Sequence, residues 1–523
     1  MKKLIYCLLA LHLSCSLVTT EREGFEIASI DPASPLRPQF HFSPPDNWMN
    51  DPNGMFYSKG YYHLFYQYYP DSTVWGPMHW GHARSNDLVN WDHLPIALSP
   101  DENGLIFSGS AVYDKENTSG LGKDGAVPIV AIYTYHDMAK EKSGVSGFQS
   151  QGVAYSLDEG NTWVKYDSNP VLERDDLTDF RDPKVFWHEP TSSWVMVLAV
   201  KDHVSFYGSP NLIEWTHLSD FGQGYGSHDG VWECPDLIEL MTGNSSEKTW
   251  TLVVSIGTGS ARGSATQYFL GDFDGEKFST KQSPNKVRWL DQGKDNYAGV
   301  TWSNMPEVDG RKIFLGWMNN WDYAQVVPED GWRGAMTLPR SLFVINYNGV
   351  STVASYPVKE VELLRKRSMP IKKHLMNVAV DWTNLLEGND VLIDLELVVT
   401  KVNRKGSWQL RLSNELGEEV TLGYKNESNE YFVDRSLSDS LSIHPTYDAI
   451  QSAKRIMRKD QFANRIIIDR TSVEFFADMG LQVFTTAFFP TVPFDRIEFQ
   501  APDESLLVEG VLYQMSDILE STP

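Results

Sequence analysis

Three short stretches place a carboxylate beside a stiffening or aromatic residue: "NWMNDPNG" with Asp51, "FRDPKVFW" with Asp182, and "VWECPDL" with Glu233. Carboxylates held this way suit general acid, base or nucleophilic work on a neutral substrate. Two that converge suit glycoside hydrolysis, in which one attacks or supports an oxocarbenium-like centre and the other protonates the leaving oxygen. The acid of such a pair needs a raised pKa, and Trp232 next to Glu233 offers an apolar wall for it. Glu233 is therefore expected to be the acid, Asp51 the nucleophile, and Asp182 a third carboxylate gripping sugar hydroxyls. Arg181 is placed to orient Glu233 or to bind the sugar. Asp51-Pro52-Asn53-Gly54 also has the composition of a tight turn, which would hold Asp51 rigid.

The elements that must position these groups are strands. From about Phe40 to Val344 short runs rich in β-branched and aromatic residues, such as "YYHLFYQYYP", "AVPIVAIYTYH" and "TWTLVVSIG", are broken by Gly, Asn and Asp. Amphipathic helical patterns are almost absent there. A polar turn closing on an aromatic recurs as "SNDLVNW" from Ser85, "SLDEGNTW" from Ser156, "SPNLIEW" from Ser209 and, more loosely, "GDFDGEKF" from Gly271. That spacing predicts the four-stranded blades of a five-bladed β-propeller over residues 36–355. In a propeller, inner strands begin at one end of a central funnel, so carboxylates far apart in sequence can meet. Residues 356–373 read as a linker with a short basic helical run. Period-two strands beyond it predict a C-terminal β-sandwich over 374–520. The fold class is all-β.

Residues 1–20 have a basic start, an apolar run and a small polar close, the pattern of a cleaved secretory signal. Cys7 and Cys15 fall inside it, leaving Cys234 as a small packing residue with no disulfide partner. Sequons begin at Asn117, Asn244 and Asn426. The formal net charge is −24, or −26 once Lys2 and Lys3 are gone. Such a surface repels nucleic acid and anionic lipid and favours a neutral substrate. His63, His79 and His82 lack the spacing of a zinc set, so neither a metal nor a cofactor is expected.

"NDPNG", "FSGSA" at Phe107–Ala111, "FRDPKVFW" and "WECPDL", in this order and at these separations, resemble glycoside hydrolase family 32, the β-fructofuranosidases: invertases, exo-inulinases and levanases. The resemblance extends to "SVEFFADMG" from Ser472 and so covers nearly all of the mature chain. It implies a propeller joined to a sandwich, and hydrolysis of terminal β-fructofuranosyl units with retention of configuration, sucrose foremost and inulin or levan besides. It implies that Asp51 is the nucleophile, Glu233 the acid/base and Asp182 the transition-state stabiliser. Asn50, Gln67, Trp75, Phe107, Ser108 and Arg181 match positions lining a fructose pocket, and Trp317 in "FLGWMNNW" resembles its aromatic floor. Retention requires carboxyl groups about 5–5.5 Å apart, inversion roughly 6.5–9.5 Å. The competing readings are an inverting arabinan-degrading propeller enzyme, a fructosyltransferase, and a sugar-binding module without activity.

Overall fold

The computed structural model describes residues 34–516, apart from 244–246, 285, 307, 329, 377–378, 389, 403–405, 442 and 502–505. The expected signal segment and the sequon asparagine Asn244 lie outside the described residues. Five sheets of four principal strands surround one axis, and two six-stranded sheets follow them. This is the propeller and sandwich expected. No helix among the described residues is long and apolar enough to cross a membrane.

The innermost strands of the blades are Asn47–Ser58, Leu105–Tyr113, Phe180–His188, Trp232–Met241 and Tyr297–Thr301. The recurring polar turns join the third and fourth strands of blades 1 to 4, where the hydroxyls of Ser85, Ser156 and Ser209 accept backbone N–H groups of the turn. The fifth such connection is the Asn348-Gly349 turn between Arg340–Tyr347 and Val350–Pro357, which lacks the terminal aromatic. Short contacts between the first and last blades close the ring: Trp332–Arg333 pairs with Asn47–Trp48, and Ser303 bonds the backbone of Met55 and Tyr57.

Every inner strand carries one extra residue at the same level. Two residues on it oppose one on its neighbour between Met49/Pro52, Ile106/Gly109, Arg181/Lys184, Glu233/Asp236 and Tyr297/Val300. A bulge of this kind bends the strand and re-aims a side chain. The sequence expectation of a tight turn at Asp51-Pro52-Asn53-Gly54 is corrected accordingly. These residues lie within one strand that bulges twice. Pro52, Pro183 and Pro235 are tolerated because the inner strand is the edge of its sheet and a bulge needs no ladder N–H. Gly54 has φ +56, and a Cβ there would come within 2.5 Å of the Trp80 ring. Within the aligned bulges of blades 3 to 5, Asp182, Cys234 and Ala298 take positive φ.

Below the bulges the inner strands are tied through a buried cation. Lys184 Nζ lies 3.0 Å from Asp236 Oδ2 and donates to the Thr301 carbonyl at 2.6 Å. Asp236 in turn accepts from the Thr301 N–H and hydroxyl, each at 2.7 Å. Blades 3, 4 and 5 are thus pinned just beneath the residues they must aim. The buried charges are paired through Asp236 Oδ2, as buried ions must be, while Asp236 Oδ1 has no hydrogen-bond partner among the described residues.

The connector is shorter than the expected 356–373. A 3₁₀ turn at Lys359–Leu364 leads directly into strand Arg365–Met376, which pairs with Leu506–Met515 inside the sandwich. The basic run is a strand because Arg365 and its neighbours face sheet carboxylates, Arg365 bonding Asp394 and Glu396. Buried ion pairs weld the two domains together. Glu474 of the sandwich accepts from Arg340 Nη2 at 2.8 Å and the Leu338 N–H at 2.7 Å, while Arg340 Nη1 reaches Asp291 at 2.9 Å. His41 sits between Asp469 and Glu474, and although burial opposes its charge, the two carboxylates raise it to about 9. Arg340→Met leaves Asp291 buried without its cation and Glu474 with only the His41 it shares with Asp469, an expected loss of about 3–5 kcal/mol. Denaturant unfolding checks this, and a variant as stable as the parent would show that the network contributes nothing net.

Candidate active site

A cavity of about 490 Å³ opens at the end of the propeller axis where the bulges lie. Its lining includes Asn50, Asp51, Gln67, Trp75, Phe107, Ser108, Arg181, Asp182 and Glu233. Residues from the inner strands of blades 1 to 4 and from strand Tyr61–Tyr69 therefore meet in one pocket. Trp317 does not line it. That indole is completely buried behind the wall, with Trp48 at 6.0 Å and Trp321 at 4.8 Å between ring centroids. The ring that faces the cavity is Trp321, four residues on.

Asp51 is held by three donors. Asn50 Nδ2 bonds its Oδ1 at 3.0 Å, Ser108 its Oδ2 at 2.9 Å, and the Cys234 thiol lies 3.5 Å from Oδ2. Trp48 Nε1 donates to Asn50 Oδ1 at 2.8 Å and so fixes which way the amide faces. Asp182 accepts from the Cys234 N–H at 3.0 Å, and its own N–H is tied to Thr134 at 2.9 Å. Cys234 is buried between the two aspartates, which together with burial push its thiol well up. The S–H is a donor to the carboxylates and not a thiolate nucleophile.

Glu233 is gripped from two sides. Arg181 donates through Nε at 3.2 Å and Nη2 at 2.8 Å to Oε1, while the Tyr297 hydroxyl bonds Oε2. Trp232 is not its apolar wall: that side chain is buried in the core between blades 3 and 4, donating to the Ser227 carbonyl at 2.9 Å. Alternation along the strand sends residues 232 and 233 to opposite faces, so adjacency in sequence did not become contact. Burial raises Asp51, with Glu233 adding to it and its hydrogen bonds opposing. Burial likewise raises Asp182 to about 7, against the pull of Arg181 and with the charges of Glu233 and Asp51 reinforcing it.

That shift has a consequence for stability. A carboxyl that holds its proton more tightly when folded stabilises the fold fully below its unfolded value near 3.8 and loses that contribution as pH rises towards 7. Asp182→Asn is expected to raise Tm by several degrees above pH 7 and to leave it unchanged near about pH 4. Thermal unfolding at the two pH values checks it, and an equal effect at both would contradict the cause.

Two features of the pocket were not anticipated. Tyr297 occupies in blade 5 the register position of Glu233 in blade 4 and Arg181 in blade 3. Aligning "NYAGV" on "WECPD" would have revealed it. On the rim, the one-turn helix Met138–Lys142 carries Glu141 into the lining. Glu141 Oε2 lies 3.1 Å from His136 Nε2, His136 Nδ1 is 3.1 Å from Gln149 Nε2, and Gln149 Oε1 accepts from Phe180 N and, at 3.4 Å, Arg181 Nη1. Burial lowers the His136 pKa, and this chain of partners suits the neutral tautomer with its proton on Nε2. His136 also stacks on Phe107 at 4.3 Å with the planes 3° apart. Gln67 contributes a buried Nε2 with no partner, a donor waiting on the cavity.

Convergent carboxylates in a blind pocket with aromatic walls and spare hydrogen-bonding groups define a glycoside hydrolase. The chain belongs to glycosyl hydrolase family 32, whose N-terminal domain model matches residues 41–357 and whose C-terminal model matches 360–511. It is similar to a levanase of Bacillus subtilis (strain 168), 44% identical across 93% of this chain and 71% of that one. Extracellular exo-inulinase inuE of Aspergillus niger is 36% identical across 87% of this chain and 90% of its own length. Among solved structures, exo-inulinase from Aspergillus awamori superposes with a TM-score of 0.85 at 31% identity, covering 94% of this chain and 100% of that one. Fructofuranosidase from Schwanniomyces occidentalis, complexed with fructose, gives 0.81 at 31% identity with the same coverage. The chain is accordingly an enzyme of the β-fructofuranosidase class.

Proposed function

We propose that the protein is secreted and removes terminal fructose units from levan and inulin, and from sucrose, with retention of configuration. The observation that carries this is the blind pocket itself, in which Asp51, Asp182 and Glu233 meet among otherwise unused polar groups such as Gln67. A pocket closed at one end takes a chain terminus, not its middle. The levanase and exo-inulinase relatives support the fructan substrates, and the extracellular relatives support secretion.

In this reading a fructosyl ring enters the funnel and is held by Asn50, Gln67, Arg181 and Asp182, with Trp75, Phe107 and Trp321 excluding water and strengthening each polar contact. Asp51, fixed by Asn50, Ser108 and Cys234, attacks the anomeric carbon C2. Glu233 delivers a proton to the glycosidic oxygen as that bond breaks. The product of this step is a fructosyl ester on Asp51 and a free leaving sugar. Glu233, now ionised and steadied by Arg181 and Tyr297, takes a proton from water as the water attacks C2, returning Asp51 as a carboxylate. Asp182 balances charge that develops on the ring during both steps.

Product analysis with levan, inulin and sucrose, each alone, tests the substrate assignment. Free fructose without larger fragments at early times is expected from all three. Internal fragments would contradict exo action, fructose from sucrose alone would make the enzyme an invertase, oligosaccharides at high sucrose would mark a transferase, and no fructose from any would leave a binding module. Glu141 lies at the rim and, with His136 orienting it, is expected to accept a hydroxyl of the departing sugar. Glu141→Ala should raise KM by about tenfold while moving kcat less, as for a lost hydrogen bond to a charged group. Unchanged KM on every substrate would remove Glu141 from the pocket's working surface.

A further inference from the structure

A second cavity, larger than the first at about 740 Å³, opens between propeller and sandwich. Its lining includes five cations: Arg262, Lys286 and Arg288 from the propeller, Lys454 and Arg458 from the sandwich. Among the described residues it includes no aspartate or glutamate. In a chain with 69 acidic and 45 basic residues, chance would place more acids than bases on any such surface. Both domains contribute, so the cluster exists only in the assembled fold.

The charges are also left uncompensated. Among the described residues only Lys454 has a carboxylate within ion-pair distance, Glu430 at 3.1 Å. Arg262 is positioned by neutral groups: its guanidinium lies over the Trp289 ring at 5.2 Å and donates to the Gln292 carbonyl and Oε1, both at 3.1 Å. Asp291 contributes to its field but is itself bound to Arg340. Arg288 is anchored through Nη1 to the Ser351 carbonyl at 2.5 Å, and its buried Nε has no partner. Two guanidinium groups fixed without counter-charge, one with an unspent buried donor, form a preorganised site for an anionic group. Lys286 and Arg458 are exposed on the propeller and sandwich sides of the opening.

We propose that this cleft binds an anionic saccharide, a sugar chain bearing carboxylate or phosphate groups. The cations take the acidic groups, while Trp289, Tyr347 and the polar side chains of Gln292, Asn348 and Gln482 line room for the rings. A neutral fructan has no use for five cations. The site shares no lining residue with the catalytic pocket and does not depend on the function assigned to that pocket.

Calorimetric titration of the full chain at low salt tests it, with oligogalacturonate as a carboxylated saccharide, tripolyphosphate as a polyanion without rings, and inulin as a neutral saccharide. The probes are chosen for charge, and the net negative protein gives little non-specific background for either polyanion. Oligogalacturonate is expected to bind more tightly than tripolyphosphate, with affinity falling as salt rises, and inulin not to compete. Lys286→Gln with Arg458→Gln should weaken oligogalacturonate at least tenfold, whereas Lys286→Arg with Arg458→Lys should retain it. Unchanged fructose release shows that these variants are folded. Binding of tripolyphosphate alone would overturn the saccharide assignment, and no binding of either polyanion, or binding indifferent to the Gln pair, would overturn the site.

Discussion

Asp51→Ala is expected to lower kcat on levan and sucrose by about 10⁴ to 10⁶, the loss seen when the group that forms the covalent intermediate is removed. Water cannot simply take its place, because the cavity left is walled by Asn50, Ser108 and Cys234, which are arranged to hold a carboxylate. The fold should not suffer. Asp51 is buried near Glu233, and its proton affinity is raised by both circumstances, so its removal relieves repulsion. A Tm at or above that of the parent, together with the lost turnover, separates a chemical role from a structural one. Turnover within tenfold of the parent would remove Asp51 as nucleophile.

Glu233→Gln is expected to cost about 10² to 10⁴ in kcat on natural substrates, the range for a general acid. Its oxygen can still accept from Arg181, so the surroundings remain in place. The loss should depend on the leaving group. A fructoside with an activated aryl leaving group needs no protonation, and its first step should proceed nearly as in the parent. The second step then lacks its base and becomes limiting. Steady-state rates with both substrate types and a pre-steady-state burst with the aryl fructoside check this. An equal loss on both substrates without a burst would contradict the acid/base role.

Much of this pocket was legible because its residues come in local pairs with a physical signature. A carboxylate or its neighbour followed by proline, as in Asp51-Pro52, Asp182-Pro183 and Cys234-Pro235, marks an edge strand with a bulge. The blade count was legible because the outer turns recur. What failed to show was direction. Trp232 and Glu233 are adjacent but point to opposite faces, and Trp317 and Trp321 exchange roles because only the loop geometry after strand Lys312–Trp317 decides which ring meets the cavity. The turn reading of "DPNG" failed because positive φ at glycine serves a bulge as well as a turn, and local sequence does not distinguish them. Tyr297 was missed since it meets Glu233 only across blades, and the Glu141–His136–Gln149 chain since its members meet only once neighbouring strands of one blade are paired. The linker reading failed where a basic run looked helical but found carboxylates across a sheet.

The central claim is that Asp51 carries the fructosyl group between two displacements. It is tested most directly by acid-quenching Glu233→Gln during turnover of an aryl fructoside and mapping the digested peptides by mass spectrometry. A single fructosyl increment on Asp51, formed within the burst, is the predicted result. Full consumption of the fructoside with no adduct on Asp51 would contradict the account.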